Sequence, residues 1–339
     1  MTQPWIHKKT TDLLFILLPP FGIALIVLLF HKELGIIQNS YSFLSWMILI
    51  VFIDVAHVYA TLFKTYFNKT EFTKNRRLFL QIPAVCLLLS TGAFFMGAHF
   101  FWSALAYMAV FHFIRQQYGF MRLYSRNEVK TFKKQIFDKL VIYNATVFPM
   151  LYWFLNPDRR FNWFIKNEFL QMNAPGITQI LFIFFLIIAG AYLIQLLYEF
   201  VITGKINLPK TLLILGTYVS WYLSIVHYNN ELIFTLFNVV CHGVPYMALI
   251  YSREIKPKKQ KHLILQPFSG KKMLLAFLLI ILVFAITEEF IWELTVWEEH
   301  IQIAQSFYVP ESFHFIWIPL LALPQLTHYV LDGFIWKSK

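Results

Sequence analysis

Apolar residues run together along most of the chain in unalternating stretches of near-membrane length, divided by short polar connections. A helix needs roughly 20 apolar residues to cross the hydrocarbon core of a bilayer. On that measure the pattern predicts spans near 12–30, 43–63, 78–97, 100–121, 140–155, 177–202, 210–227, 232–251, 272–290 and 313–336, the fifth being short. Backbone groups in hydrocarbon must bond within their own segment, and runs this long do not suit the alternating strands of a barrel. The expected fold is therefore all-α: a polytopic integral membrane helical bundle of about ten transmembrane helices, with a range of eight to ten. Almost nothing is left over for a soluble domain, so residues 1–339 read as one membrane domain. Pro19-Pro20, and Pro319 with Pro324, predict kinks within their spans.

The polar connections set the orientation, because cytoplasmic loops collect Lys and Arg. Lys8 and Lys9, the group Lys64 to Arg77, the group Arg126 to Lys139, then Lys205 with Lys210, the group Arg253 to Lys272, and finally Lys337 with Lys339 fall at alternate connections. The loops between them are poor in basic residues or acidic, as with Glu288, Glu289 and Glu293, and only the connection holding Arg159, Arg160 and Lys166 breaks the rule. Both termini are expected on the cytoplasmic side, in a multi-pass protein of a bacterial inner membrane. Met1 to Lys9 is too polar for a signal-peptide core, and no small-residue cleavage site follows the first apolar run, so that run is expected to stay as a helix. Two connections, 158–173 and 288–309, mix aromatic residues with charges and read as amphipathic segments lying at the membrane interface.

Composition narrows the function. The chain is 58% apolar, 19% aromatic and 14% charged, against roughly a quarter charged in soluble domains. Its net charge of +11 lies in short clusters between apolar runs, which membrane topogenesis explains and which gives no reason to expect a nucleic-acid partner. Cys86 and Cys241 fall inside apolar runs and imply no disulfide framework. Walker loops, HExxH and GxSxG signatures are missing from the sequence.

Four of the eleven histidines, His57, His112, His242 and His328, lie inside predicted spans, where ionisable groups are costly and mark a functional site by default. They precede the basic residues Lys64, Arg122, Arg253 and Lys337 by 7, 10, 11 and 9 residues. At about 1.5 Å per residue this puts all four within a slab about 6 Å thick. Polar residues three or four positions away share a helix face with each: Asp54 with His57, Gln116 with His112, Asn238 with His242 and Asp332 with His328. Glu199, with Gln195, sits at a similar level on another span. Asp54, Gln116, Asn238, Asp332 and Glu199 are candidate extra ligands or partners that fix an imidazole tautomer.

Imidazole with carboxylate is a ligand set for first-row transition metals. Fe(II) suits a buried, greasy, aromatic-rich site that would bring dioxygen to a lipophilic substrate such as a carotenoid, isoprenoid or acyl lipid, with membrane lipid around it. No catalytic residue beyond the metal site is singled out. Arg115 either meets a carboxylate or lipid headgroup, or snorkels to the interface. Two other functions stay open: an ion- or proton-coupled transporter using the intramembrane His and Asp residues, and a membrane acyltransferase with His242 as base.

Asp54-Val-Ala-His57, His112-Phe-Ile-Arg-Gln-Gln, Cys241-His242-Gly-Val-Pro245 and Pro324-Gln-Leu-Thr-His328-Tyr-Val-Leu-Asp332 together resemble the Brp/Blh-type bacterial β-carotene dioxygenases. The resemblance implies a multi-span membrane enzyme in which His57, His112, His242 and His328 hold one iron, Asp332 supports them, and a carotenoid is cleaved to retinal with dioxygen. That family's early motif has Pro-His-Gly before its aspartate, whereas here Asp54 precedes His57.

Overall fold

The computed structural model describes residues 3–38, 43–129, 131–257, 262–297 and 309–336, and the described residues form helices and connections without a strand. The helices are α1 (Pro19–Gln38), α2 (Phe43–Lys64), α3 (Arg76–Phe95), α4 (Ala98–Tyr124), α5 (Phe132–Leu155), α6 (Pro175–Thr203), α7 (Leu208–Trp221), α8 (Glu231–Ile255), α9 (Gly270–Trp297), α10 (His314–Leu321) and α11 (Leu323–Ile335). Six of them, α1, α2, α3, α6, α8 and α9, are long and apolar enough to cross a membrane. All ten predicted segments are helical, but the other four differ in kind. Here α4 carries His99, His112, Arg115, Gln116 and Gln117, and α5 opens on Lys133, Lys134, Asp138 and Lys139. Helix α7 is 14 residues long before it loosens into the π-turn Tyr222–His227. The last segment breaks at Ala322 between Pro319 and Pro324, where the missing N–H groups prevent a continuous ladder.

Local chemistry sets the ends. Asn207 accepts the Lys210 N–H at 3.2 Å and Thr131 the Lys134 N–H at 3.4 Å, each capping an N-terminus. Pro175 opens α6, and Gly204, at φ +63°, closes it in the left-handed conformation that glycine adopts without strain.

The chain divides into two compact units, residues 1–40 with 113–242 and residues 41–112 with 243–339, so that the division falls inside α4 and inside α8. In the first unit α5 packs on α6 and α7, where Asn144 donates to the Phe185 carbonyl at 3.1 Å and the Tyr218 hydroxyl at 2.8 Å. Ile23, Ala24 and Val27 of α1 bury against Ile233, Phe237 and Cys241. The segment 158–173 contains no helix. It folds around the Glu168 carboxylate, which accepts the N–H groups of Trp163, Phe164 and Ile165, and it turns Phe161 and Phe169 inward onto Trp153.

In the second unit α2 packs on α9 through Val51, Val55, Ala56, Ala60 and Phe63 against Phe277, Ile281 and Ala285. Helix α11 lies on α3, with Leu331 buried against Phe79, Ile82 and Cys86. Residues 288–297 continue α9, its last turn being π-helical, and 298–308 lie outside the described residues. Glu288, one of the acidic residues assigned to a connection by the charge pattern, accepts a hydrogen bond from the Tyr59 hydroxyl.

Candidate metal centre

Helix α2 owes its shape near the site to a nine-residue π-helical stretch, Met47–Val55, which regains α geometry at Ala56. Its N–H groups bond to the fifth carbonyl back rather than the fourth, a rare arrangement that recurs at functional sites. Asp54 lies inside this stretch and His57 just beyond it; Asp54 Oδ1 stands 3.7 Å from His57 Nδ1. Gly243 explains how α8 comes so close to the same stretch: a Cβ on it would stand 2.9 Å from Ile53 Cγ2 and 3.0 Å from the Ile53 carbonyl oxygen.

Helices α2, α4 and α11 bring three imidazoles together. His328 Nε2 lies 3.1 Å from His112 Nε2, and the His57 ring stands edge-on to that of His328 with centroids 5.0 Å apart. One ring nitrogen from each of His57, His112, His242 and His328 lies within 4.8 Å of the others, and all four residues are buried. Nitrogen ligands held about 2.0–2.1 Å from one ion are themselves about 3 to 4 Å apart, so a small inward movement satisfies a single metal. Aromatic rings stack on two of the four histidines. Phe113 stacks on His242 with centroids 3.6 Å apart and planes 5° from parallel, and Tyr329 stacks on His112 at 4.8 Å.

A hydrogen-bonded chain leads away from His328. Its Nδ1 lies 2.6 Å from Thr61 Oγ1, which is 3.0 Å from the Tyr246 hydroxyl. Tyr246 donates to Asp332 Oδ1 at 2.9 Å, and the Trp336 indole donates to the same oxygen at 2.7 Å. Asp332 accepts at its end of the chain, so the protons point one way: His328 Nδ1–H to Thr61, Thr61 to Tyr246, Tyr246 to Asp332. That tautomer leaves His328 Nε2 as a bare acceptor facing His112. His112 Nε2, 3.1 Å away, either donates a hydrogen to that nitrogen or, when it too is deprotonated, faces it across a space that a bridging cation would fill. The second oxygen of Asp332 is 4.0 Å from His112 Nδ1. Asp54 beside His57 and Asp332 near His112 put two carboxyl groups next to the imidazoles, and in their ionised form they would offset the charge of a divalent cation in a low-dielectric interior.

No family model, curated protein or solved structure matches this chain.

The remaining predicted residues fall differently. Gln116 turns to the main chain of α8, donating to the His242 carbonyl at 3.3 Å. Asn238 bonds back along its own helix to the Phe234 carbonyl at 2.9 Å. Glu199 is not among the clustered groups; it accepts from Lys134 at 3.1 Å and Gln195 at 3.0 Å, because α6 presents it to basic residues of α5. Arg115 is directed at Tyr143, whose hydroxyl it reaches at 2.6 Å, and lies over the Tyr118 ring at 4.9 Å. Thr61 and Tyr246 went unpredicted, although each stands four residues after a clustered histidine, His57 and His242.

Proposed function

We propose that the protein is a membrane-embedded, metal-dependent oxygenase or related oxidoreductase, with non-haem iron held by His57, His112, His242 and His328 and a lipophilic substrate such as a carotenoid, isoprenoid or acyl lipid. The observation that carries this reading is the convergence of four buried ring nitrogens within 4.8 Å, with no lysine or arginine in the group. Iron bound there supplies the binding and activation of dioxygen that side chains alone cannot provide. The protein's own share is positional: Thr61 holds the His328 tautomer, Asp54 and Asp332 offset the charge, and Phe113 and Tyr329 wall the imidazoles from water. Substrate would come from the bilayer, with ten crossings, both ends cytoplasmic and the histidines at one depth in a bacterial inner membrane. The resemblance of the four histidine segments to the Brp/Blh-type dioxygenases favours cleavage of a carotenoid double bond with dioxygen among the lipophilic options.

The test is elemental analysis of detergent-purified protein beside His57→Ala, His112→Ala, His242→Ala and His328→Ala, each checked for helicity and monodispersity. Roughly one iron per chain, lost from every folded variant, is expected, since ligands of one ion act as a unit. Intact variants with no metal in the parent protein would end the oxygenase reading and return attention to ion-coupled transport.

A further inference from the structure

A second polar centre occupies the first unit and owes nothing to the histidines. Lys210, 4% exposed, places Nζ 3.0 Å from Glu128 Oε2 and 3.2 Å from both oxygens of Asp138. Lys134 reaches the same Glu128 oxygen at 3.4 Å and Glu199 Oε1 at 3.1 Å. Three carboxylates thus meet two ammonium groups, leaving one negative charge in excess. Beside them lies a cavity lined by Tyr192, Gln195, Leu196, Glu199, Asn207, Lys210 and Thr211.

Besides the Lys210 ammonium, the lining carries hydroxyl, amide and carboxylate groups, of which Glu199 Oε1 already accepts from Lys134 and Gln195. Tyr192 is 4% exposed, and its hydroxyl makes no hydrogen bond, Thr211 standing beside it without the required geometry. Gln195 commits its amide nitrogen to Glu199 Oε1 at 3.0 Å, which leaves its oxygen as an acceptor. The Asn207 amide nitrogen is taken up by the Tyr124 carbonyl and Glu128. Space for the centre of a water-sized body is about 10 Å³, close to what one water or one dehydrated small ion needs.

We propose that this cavity binds a small monovalent cation through Tyr192, Gln195, Glu199 and Thr211. The excess negative charge turns an anion away, and the size excludes bulky organic cations. A calcium or magnesium ion wants six or more oxygens, usually with several carboxylates, and the carboxylates other than Glu199 are committed to Lys210. Two sources share this chemistry: a free alkali ion, and the ammonium end of an aminophospholipid. The lipid source has an approach, because Ile194, Leu197, Tyr198 and Val201 expose the neighbouring surface of α6.

The experiment is thermal unfolding of the purified full-length chain in NaCl, with choline chloride holding ionic strength constant, for the parent, Tyr192→Phe and Glu199→Gln. It is repeated without added sodium in nanodiscs of phosphatidylcholine with and without phosphatidylethanolamine. A saturable rise in Tm of about 2–4 °C at ten times the Kd is expected, lost in both variants. A rise with sodium identifies the free ion, and a rise confined to phosphatidylethanolamine identifies the headgroup. Equal shifts in choline and sodium, shifts that persist in both variants, or no response to sodium or phosphatidylethanolamine would overturn the proposal. Helicity and monodispersity of each variant serve as the folding control.

Discussion

The two compact units each bury polar groups in a largely apolar setting, and they satisfy them by opposite means. The second unit gathers neutral imidazoles and hydroxyls and ends their hydrogen-bonded chain on one carboxylate, Asp332. In the first unit, ammonium and carboxylate groups satisfy each other directly around Lys210. What separates a metal centre from an ionic lock is the donor type. Imidazole offers a lone pair that a cation can use, whereas lysine brings its own charge and meets most, though not all, of the need for one.

Three substitutions press on this contrast. The largest effect is expected at Lys210→Met, which leaves Asp138 buried without its counter-charge and should destabilise the protein by about 3–5 kcal/mol. Unfolding in detergent measures it, and Lys210→Met with Asp138→Asn should recover much of the loss. A single variant as stable as the parent would show that the lock contributes little. Next comes Thr61→Val, which removes the acceptor for His328 Nδ1 while keeping the shape. Metal affinity should fall about 10–100-fold, as for other groups that orient a ligating imidazole, and Thr61→Ser should restore it. Unchanged affinity in Thr61→Val would remove the tautomer argument. The smallest effect is expected at Gly243→Ala. Crowding against Ile53 costs about 1–3 kcal/mol and is offset by a gain in helix propensity of about 0.8–1 kcal/mol, for a net loss of about 0–2 kcal/mol by thermal unfolding. A stabilised variant would mean that α8 moves away from α2 without penalty.

The helices and the four histidines were legible in the sequence because bilayer length and the rarity of imidazole in apolar runs are both strong signals. Pairing rules within one helix carried less far. Asp54 does stand beside His57, as its three-residue spacing suggests, but Asp332 turns from His328 on its own helix toward Tyr246, Trp336 and His112. Asn238 bonds to its own backbone, a choice that spacing cannot reveal. Glu199 sits on an apolar helix like a buried ligand, yet its partners come from α5, and only three-dimensional packing supplies them. Thr61 and Tyr246 had the right spacing and no distinguishing chemistry, since hydroxyl residues are ordinary members of membrane helices. Segment 158–173 reads from its aromatic and charged composition as an amphipathic interfacial segment. That composition does not tell that Phe161 and Phe169 pack on Trp153 or that Glu168 accepts from three backbone N–H groups.

The π-helical stretch Met47–Val55 makes α2 an unusual object for comparison between genomes. A π stretch can be viewed as a helix carrying extra residues, so a relative could lose one there and still cross the same bilayer with the same hydropathy profile. The gap in an alignment would then fall just before His57, within a region that is apolar apart from Asp54 and offers little else to place it. Homologues of this chain are therefore best aligned outward from the histidines, with insertions allowed between residues 47 and 55, rather than along the length of the span.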